Sequence, residues 1–411
     1  MNSLRVNQAR LWSRIEAMAV HGATSAGGCN RQALTDEDRA GRDLFISWCE
    51  AAQLSVRVDE IGNIFARRQG TKSLPPVMTG SHLDTQPSGG RFDGILGVLA
   101  GLEVAETLND HGLETEHPLD VVVWTNEEGC RFDQAMMGSA VWSGAMSLDA
   151  AYQLKDVAGV SVRDELDRVG YLGSAAASHA PVHAAFELHI EQGPILEAEK
   201  LEVGVVSGVQ HMSRHRITVE GQEAHAGPTP MSSRKDPMMA LSDFLPRLYE
   251  LAASLGSDSR ITFGSIEALP GSSNTVPGQL TLTMDIRHPD EHRYEELRRQ
   301  SYEIIAAACA KFGLSYRNEE FWSAAGVVFN ESCVGAVIRA VGLLGYSSKE
   351  MVSGAGHDAC NIARVCPTGM IFIPCDGGLS HNESENISPE QAARGGNVLL
   401  HAMLDQAQLV S

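Results

Sequence analysis

The chain has 411 residues, with 32 Lys and Arg against 52 Asp and Glu and a formal net charge of -20. That balance excludes a protein that lives on nucleic acid or an anionic membrane surface, since both need clustered cations. An apolar fraction of 43% and a charged fraction of 20% exclude disorder and collagen-like order, and the length suits two domains that each bury a core.

The start, MNSLRVNQARLWSRIEAMAV, has scattered charges and no apolar core ahead of a small-residue cleavage site, so it reads as a helix and not as a secretory signal. Helical patterns at Gln8 to Val20 and Asp36 to Ala52 precede short β-type runs at Ser55 to Val58, Asn63 to Ala66 and Pro76 to Thr79. A helix from Gly94 to Leu108 follows. The longest apolar stretch, Ile95 to Leu102, is broken by glycine and falls short of the roughly 18 residues of a membrane span. Leu119 to Thr125, LDVVVWT, is short and continuously apolar, as expected of a central strand covered on both faces. After Val206 the texture changes. His215 to Val219 alternates, Asp236 to Leu255 and Glu291 to Phe312 are helical, and Ile261 to Glu267 and Gln279 to Ile286 read as strands. The α/β texture then resumes with a helix near Cys333 to Leu344, a strand at Met370 to Pro374 and a final helix opened by Ser388-Pro389-Glu390. The expected fold class is α/β, a discontinuous domain of residues 1–211 and 326–411 with a central mixed sheet flanked by helices. A smaller α+β domain, 212–325, is inserted in it. Eight cysteines without a CxxC pair fit reduced thiols and a cytoplasmic location. Cys130 and Cys375 read as small apolar fillers.

Four segments place ligand-type side chains where a strand ends and a loop begins, the position that holds a side chain rigidly and leaves room for substrate. His82 and Asp84 close the first; on an extended backbone residues i and i+2 point the same way, so the Asp84 carboxylate is expected to accept the second ring N–H of His82. Asp93 follows in GGRFDG, where glycines allow close packing and a carboxylate could bridge two cations. Val121 to Thr125 ends in Asn126-Glu127-Glu128-Gly129, adjacent carboxylates of which one can hold a metal while the other handles a proton of water. His189 ends the alternating run Ala185 to His189, and His381 lies just after the strand ending at Pro374. Three histidines, two carboxylate ligands and a spare glutamate are what a two-metal hydrolytic site needs.

The stretches GSHLDTQPSGGRFDG, VVWTNEEGCRF, FELHIEQGPILE, VEGQEAHAGPTPM, SGAGHDAC and FIPCDGGLSHNESE resemble the hydantoinase/carbamoylase-type amidases. These are N-carbamoyl-L-amino-acid hydrolases, β-ureidopropionases and allantoate amidohydrolases, within the larger group of dinuclear zinc aminoacylases and carboxypeptidases. The likeness runs from about residue 20 to 405. The spacing from His82 to Asp93 and a histidine at 189, where peptidase relatives carry a carboxylate, favour the amidase branch.

The resemblance implies two divalent metal ions per subunit, zinc being expected and manganese, cobalt or nickel compatible with the same donors. Asp93 would bridge, with His82 and His189 on one metal and Glu128 and His381 on the other. Glu127 would be the general base, Asp84 the carboxylate behind His82, and His225, of the AHAG motif, an oxyanion donor reaching across from a partner subunit. Arg287 would grip a substrate carboxylate bidentately, with Gln192, Asn274 and Gly356 as further substrate contacts. His357 and Asp358 are left as structural, and His211 and His215 as hinge-region or surface residues. The glycines at 204–208 and 326 would suit a hinge. The expected activity is cleavage of the carbamoyl group of an N-carbamoyl α-L- or β-amino acid by a homodimer that binds a small molecule and neither nucleic acid nor membrane. Allantoate hydrolysis is the runner-up, followed by an aminoacylase or peptidase, and then by a metal-binding protein without turnover, against which Glu127 speaks.

Overall fold

The computed structural model describes residues 4–410 and comprises two units, residues up to Ser207 together with those from Val328 onward, and Gly208–Val327. The chain enters the first unit with strands β1 (Ser55–Val58), β2 (Ile64–Arg68), β3 (Val77–His82), β4 (Leu119–Trp124), β5 (Ala184–Ile190) and β6 (Val203–Val209). The second unit holds β7 (His211–Glu220), β8 (Ala224–His225), β9 (Arg260–Leu269), β10 (Thr275–Val276), β11 (Gln279–His288) and β12 (Ser315–Ala324), after which come β13 (Val327–Val328), β14 (Ser348–Ser353) and β15 (Thr368–Ile373).

The large sheet runs β1-β2-β4-β3-β5-β15-β6-β13, with β14 on β6. Its middle is parallel, β4 with β3, β3 with β5, and β5 with β15, whereas β2 and β6 pair antiparallel at either side. Every residue of β3, β4, β5 and β15 is buried, because apolar layers cover both faces. Val121 and Val123 face the main core with Leu96, Leu99 and Leu188, while Val122 and Trp124 face a smaller cluster with Phe65, Met78 and Trp142. Each such buried Val or Leu contributes about 1.5–3 kcal/mol, so the strand ends that carry the site are rigid. The helix Ile95–Asp110 is apolar nearly all round because it is sandwiched between β3, β5 and the helix Pro389–Ala407. Gly97 permits the close approach, since a Cβ there would lie 2.4 Å from the Leu188 carbonyl oxygen. The last helix starts as the sequence suggests, with Ser388 and Gln391 forming a capping box and Pro389 in the first turn.

The second unit carries a four-stranded antiparallel sheet, β12-β7-β11-β9. Leu280, Leu282, Met284 and Ile286 of β11 pack with Phe244, Leu248, Leu297 and Ile305 of helices Pro237–Ser254 and Glu291–Lys311. The odd-numbered residues of β11 are only half-buried.

β5 and β12 are among the elements that depart from expectation. The alternation read at Ala185 to His189 would expose one face of β5, yet all of β5 is buried, and Glu187 is accommodated there by hydrogen bonds from Ser81 Oγ (2.7 Å) and the Ala359 amide (2.8 Å). β12 escaped detection because its residues, SYRNEEFWSA, are mostly polar, as befits an edge strand. Among the described residues no helix is long and apolar enough to cross a membrane.

Candidate metal centre

Four neighbouring parallel strands, β4, β3, β5 and β15, deliver the ligand-type side chains from their carboxyl ends, the edge at which α/β sheets bind ligands. β3 pairs with β5 in a register that sets Val77 opposite Ala184 and Thr79 opposite Phe186. Continued, that register brings His82 level with His189, and their rings lie 6.1 Å apart. Each ring is fixed by a main-chain carbonyl. His82 Nδ1 donates to Asp84 O (2.8 Å) and His189 Nδ1 to Ile190 O (2.9 Å). A carbonyl can only accept, so Nδ1 carries a proton in both rings and Nε2 is the atom each presents to Asp93 Oδ1, from 3.5 Å and 3.1 Å.

Asp93 reaches this point because Gly94, at φ +74°, turns the chain into the helix Ile95–Asp110. The second oxygen of Asp93 faces the other way. His381 Nε2 lies 3.6 Å from Asp93 Oδ2 and 3.3 Å from Glu128 Oε2. The donor atoms of His82, Asp93 and His189 lie within 4.8 Å of one another, as do those of Asp93, Glu128 and His381. Asp93 is thus shared between two groups, each with the nitrogen and oxygen donors that suit a divalent transition-metal ion. Glu127 Oε2 stands 3.5 Å from His82 Nε2.

The electrostatics fit a cation. Burial, then the charges of Asp358 and Glu128, raise the Glu127 carboxyl well above the usual range, and burial followed by Asp93 pushes Glu128 up to about 8. Burial would raise Asp93 too, but the attraction of His189 and hydrogen bonds from His189 and His82 hold it well below the ordinary value. Packing three carboxylates into a buried space is costly unless positive charge joins them. A third group, Glu187, His189 and His357, shares His189 with the first; there both Glu187 oxygens accept hydrogen bonds and His357 Nε2 pairs with Ser353 Oγ (3.0 Å).

The Asp84 expectation is corrected. Its main-chain carbonyl, not its carboxylate, holds His82; the carboxylate is 4.0 Å from Nδ1 and instead accepts from the amides of Glu127 (3.2 Å) and Glu128 (3.1 Å). The Asp84 side chain thus ties the segment after β3 to the segment after β4. His215 is corrected as well: it is fully buried, hydrogen-bonded to Ser213 Oγ (2.8 Å) and Tyr302 Oη (3.2 Å) beneath the sheet of the second unit. His211 is half-buried and stacked on Tyr294, with a Cβ at Gly326 meeting its ring at 2.5 Å, so that glycine serves close packing. Cys375 is buried and Cys130 half-buried, and burial pushes both thiols up to about 12.

Gln192, at φ +57°, joins the centre by donating to Asp93 Oδ2 (2.7 Å), and its Oε1 is buried without a hydrogen-bond partner among the described residues. Gly356 lies in the half-buried turn between β14 and the helix Asp358–Ile362. His225 and Asn274 sit together in the second unit, where β8 pairs with β10 and the Ala226 amide donates to Asn274 O (2.9 Å); His225 is exposed. Arg287 is on β11 and grips Asp285 with Nε (2.7 Å) and Nη2 (3.0 Å), so the bidentate fork expected for a substrate engages a carboxylate of the chain itself.

Sequence reasoning missed Gln86, which donates to Glu128 Oε2 (2.7 Å), and Ser380 and Glu385, which surround Asp93. The only signal for the last two was their place in the GGLSHNESE stretch beside His381.

Residues 78–405 match the model of peptidase family M20/M25/M40. The chain is 46% identical to an N-carbamoyl-L-amino-acid amidohydrolase of Rhizobium meliloti over 99% of this chain and 98% of that one. It is 34% identical to the allantoate amidohydrolase of Bacillus subtilis over 94% of each. The crystal structure of a hydantoinase/carbamoylase family amidase from Burkholderia multivorans superposes with a TM-score of 0.96 at 48% identity, covering 98% of this chain and 99% of that one. By the family match and the near full-length likeness, the chain belongs to the M20/M25/M40 family and, within it, to the hydantoinase/carbamoylase-type amidases, hydrolases of non-peptide carbon–nitrogen bonds in linear amides.

Proposed function

We propose that the protein is a two-metal amidohydrolase that removes the carbamoyl group of an N-carbamoyl amino acid, α-L or β, to give the amino acid, ammonia and carbon dioxide. The observation that carries this reading is the sharing of Asp93, one oxygen facing His82 and His189 and the other facing His381 and Glu128. Those five residues would hold two divalent ions, zinc or, with the same donors, manganese, cobalt or nickel. When bound, such ions supply Lewis-acid activation of water and of the carbamoyl oxygen.

Glu127 then acts through its carboxylate, taking a proton from the attacking water and returning it to the departing nitrogen. Gln192 Oε1, an acceptor left open in the site, suits the N–H groups of a ureido substrate. To His225 we assign donation to the oxyanion, and to Arg287, Asn274 and Gly356 contacts with the substrate, the guanidinium exchanging Asp285 for the substrate carboxylate. A homodimer in the cytoplasm, with residues 212–325 as dimerisation and lid domain, completes the reading.

The test is ammonia release by metal-reconstituted protein from N-carbamoyl-L-α-amino acids, N-carbamoyl-β-alanine and allantoate, beside a chelated control. Chelator-sensitive turnover of a carbamoyl amino acid is the expected result. Turnover of allantoate alone would move the assignment to the second reading, which the likeness to an allantoate amidohydrolase keeps open.

A further inference from the structure

Glu385 lies four residues beyond His381 and is 2% exposed. Its Oε1 accepts the main-chain N–H groups of both Phe92 and Asp93, each at 3.0 Å. Its Oε2 and Asp93 Oδ2 both face the single hydroxyl proton of Ser380, with Oγ at 3.0 Å and 2.6 Å, so the hydroxyl ties one carboxylate to the other. One side chain therefore reaches the shared ligand twice, directly at its backbone and through Ser380 at the carboxylate oxygen that faces Glu128 and His381. The contact is built into the turn before Asp93, because a Cβ at Gly90 would lie 2.1 Å from Glu385 Cδ and Oε1, and only glycine admits the carboxylate there. The next carboxylate in the same loop, Glu383, is bonded to Thr24 Oγ1 and packs where a Cβ at Gly28 would meet its Cγ at 2.6 Å, so the loop bearing His381 is pinned at two points.

We propose that Glu385, acting with Ser380, is a positioning residue for the metal centre: it fixes the backbone at Asp93 and aims Asp93 Oδ2 toward Glu128 and His381, and so sets the affinity of the ion held by that half. This rests on the two-metal reading above. Partners that orient a metal ligand change metal affinity about 10–100-fold when removed, a larger effect than a remote packing residue has.

The experiment is equilibrium titration of Co(II) into the metal-stripped full-length chain, followed by visible absorbance and by metal content after desalting, with circular dichroism to verify folding. Wild type should take up two ions per chain. E385A should keep the first and bind the second about 10–100-fold more weakly. E385Q should stay close to wild type, because its Oε1 still accepts the two amides and its Nε2 can donate to Ser380 Oγ. S380A, which removes only the hydroxyl, should weaken the second ion in the same direction and stands in for E385A should that variant fail to fold. Two ions bound by wild type with an unchanged second affinity in folded E385A and S380A would overturn the role of Glu385, as would E385Q binding as weakly as E385A. Fewer than two ions in wild type would overturn the two-metal reading itself, and this role with it.

Discussion

His82 and His189 end adjacent parallel strands, are each 1% exposed, and have their rings set by a single carbonyl apiece. His381 sits in a loop at φ +52° with its side chain 52% exposed, and the ligand oxygens it faces already accept hydrogen bonds from Gln86, Gln192 and Ser380. Backbone alone prepares the first half of the centre, whereas side chains from four loops assemble the second. The first half should therefore hold its ion tightly, and the second should exchange it more readily and respond to changes around it.

The largest expected effect separates ion binding from turnover. Glu127 is in neither set of ligands as the geometry divides them, so Glu127→Gln should take up Co(II) as wild type does while turnover falls about 10²–10⁴-fold from loss of proton transfer. Parallel metal-content and ammonia-release measurements check this, and undiminished turnover would remove Glu127 from the reaction.

Next in size is a direct contrast between the halves. Removing His82 leaves the buried Asp93 and His189 with a cavity and an unbalanced charge, so His82→Ala should abolish the tight ion, an effect beyond the roughly 10–100-fold typical of an outer partner. His381→Ala should spare the tight ion and weaken only the other. Co(II) titrations that show equal losses in both variants would end the distinction between a preformed half and an assembled one.

What the sequence made legible follows the same division. LDVVVWT announces a doubly covered strand because burial on both faces writes a continuous apolar run, and the residues just past such strands, His82, Glu127, Glu128 and His381, could be singled out from position alone. Long-range partners leave no such mark. Nothing near Asp84 says that its carboxylate will face the amides of Glu127 and Glu128, 43 and 44 positions away. Glu385 reads as one more acid in NESE until the fold folds it under Asp93. His215 looks like a polar residue on an alternating strand because its partners, Ser213 and Tyr302, are a strand neighbour and a helix residue 87 positions on. The β12 edge strand is hidden for the opposite reason, since an edge needs few apolar residues.

The smallest expected effect tests whether backbone alone aims the first half. Gly94 has φ +74°, and a Cβ there would lie 2.4 Å from Cε1 and Nε2 of the His82 ring. Gly94→Ala meets both a positive-φ conformation that side chains rarely adopt, φ +74° with ψ -48°, and the very ring whose orientation the Asp84 carbonyl sets. If that carbonyl is the main constraint, the ring must tilt off it, and the tight ion should weaken several-fold while the His381 half, on the far oxygen of Asp93, is left as it was. A lowered thermal melt, with both ions bound as in wild type, would mean that the ring has slack and that the rigidity of the first half resides in Asp93 instead.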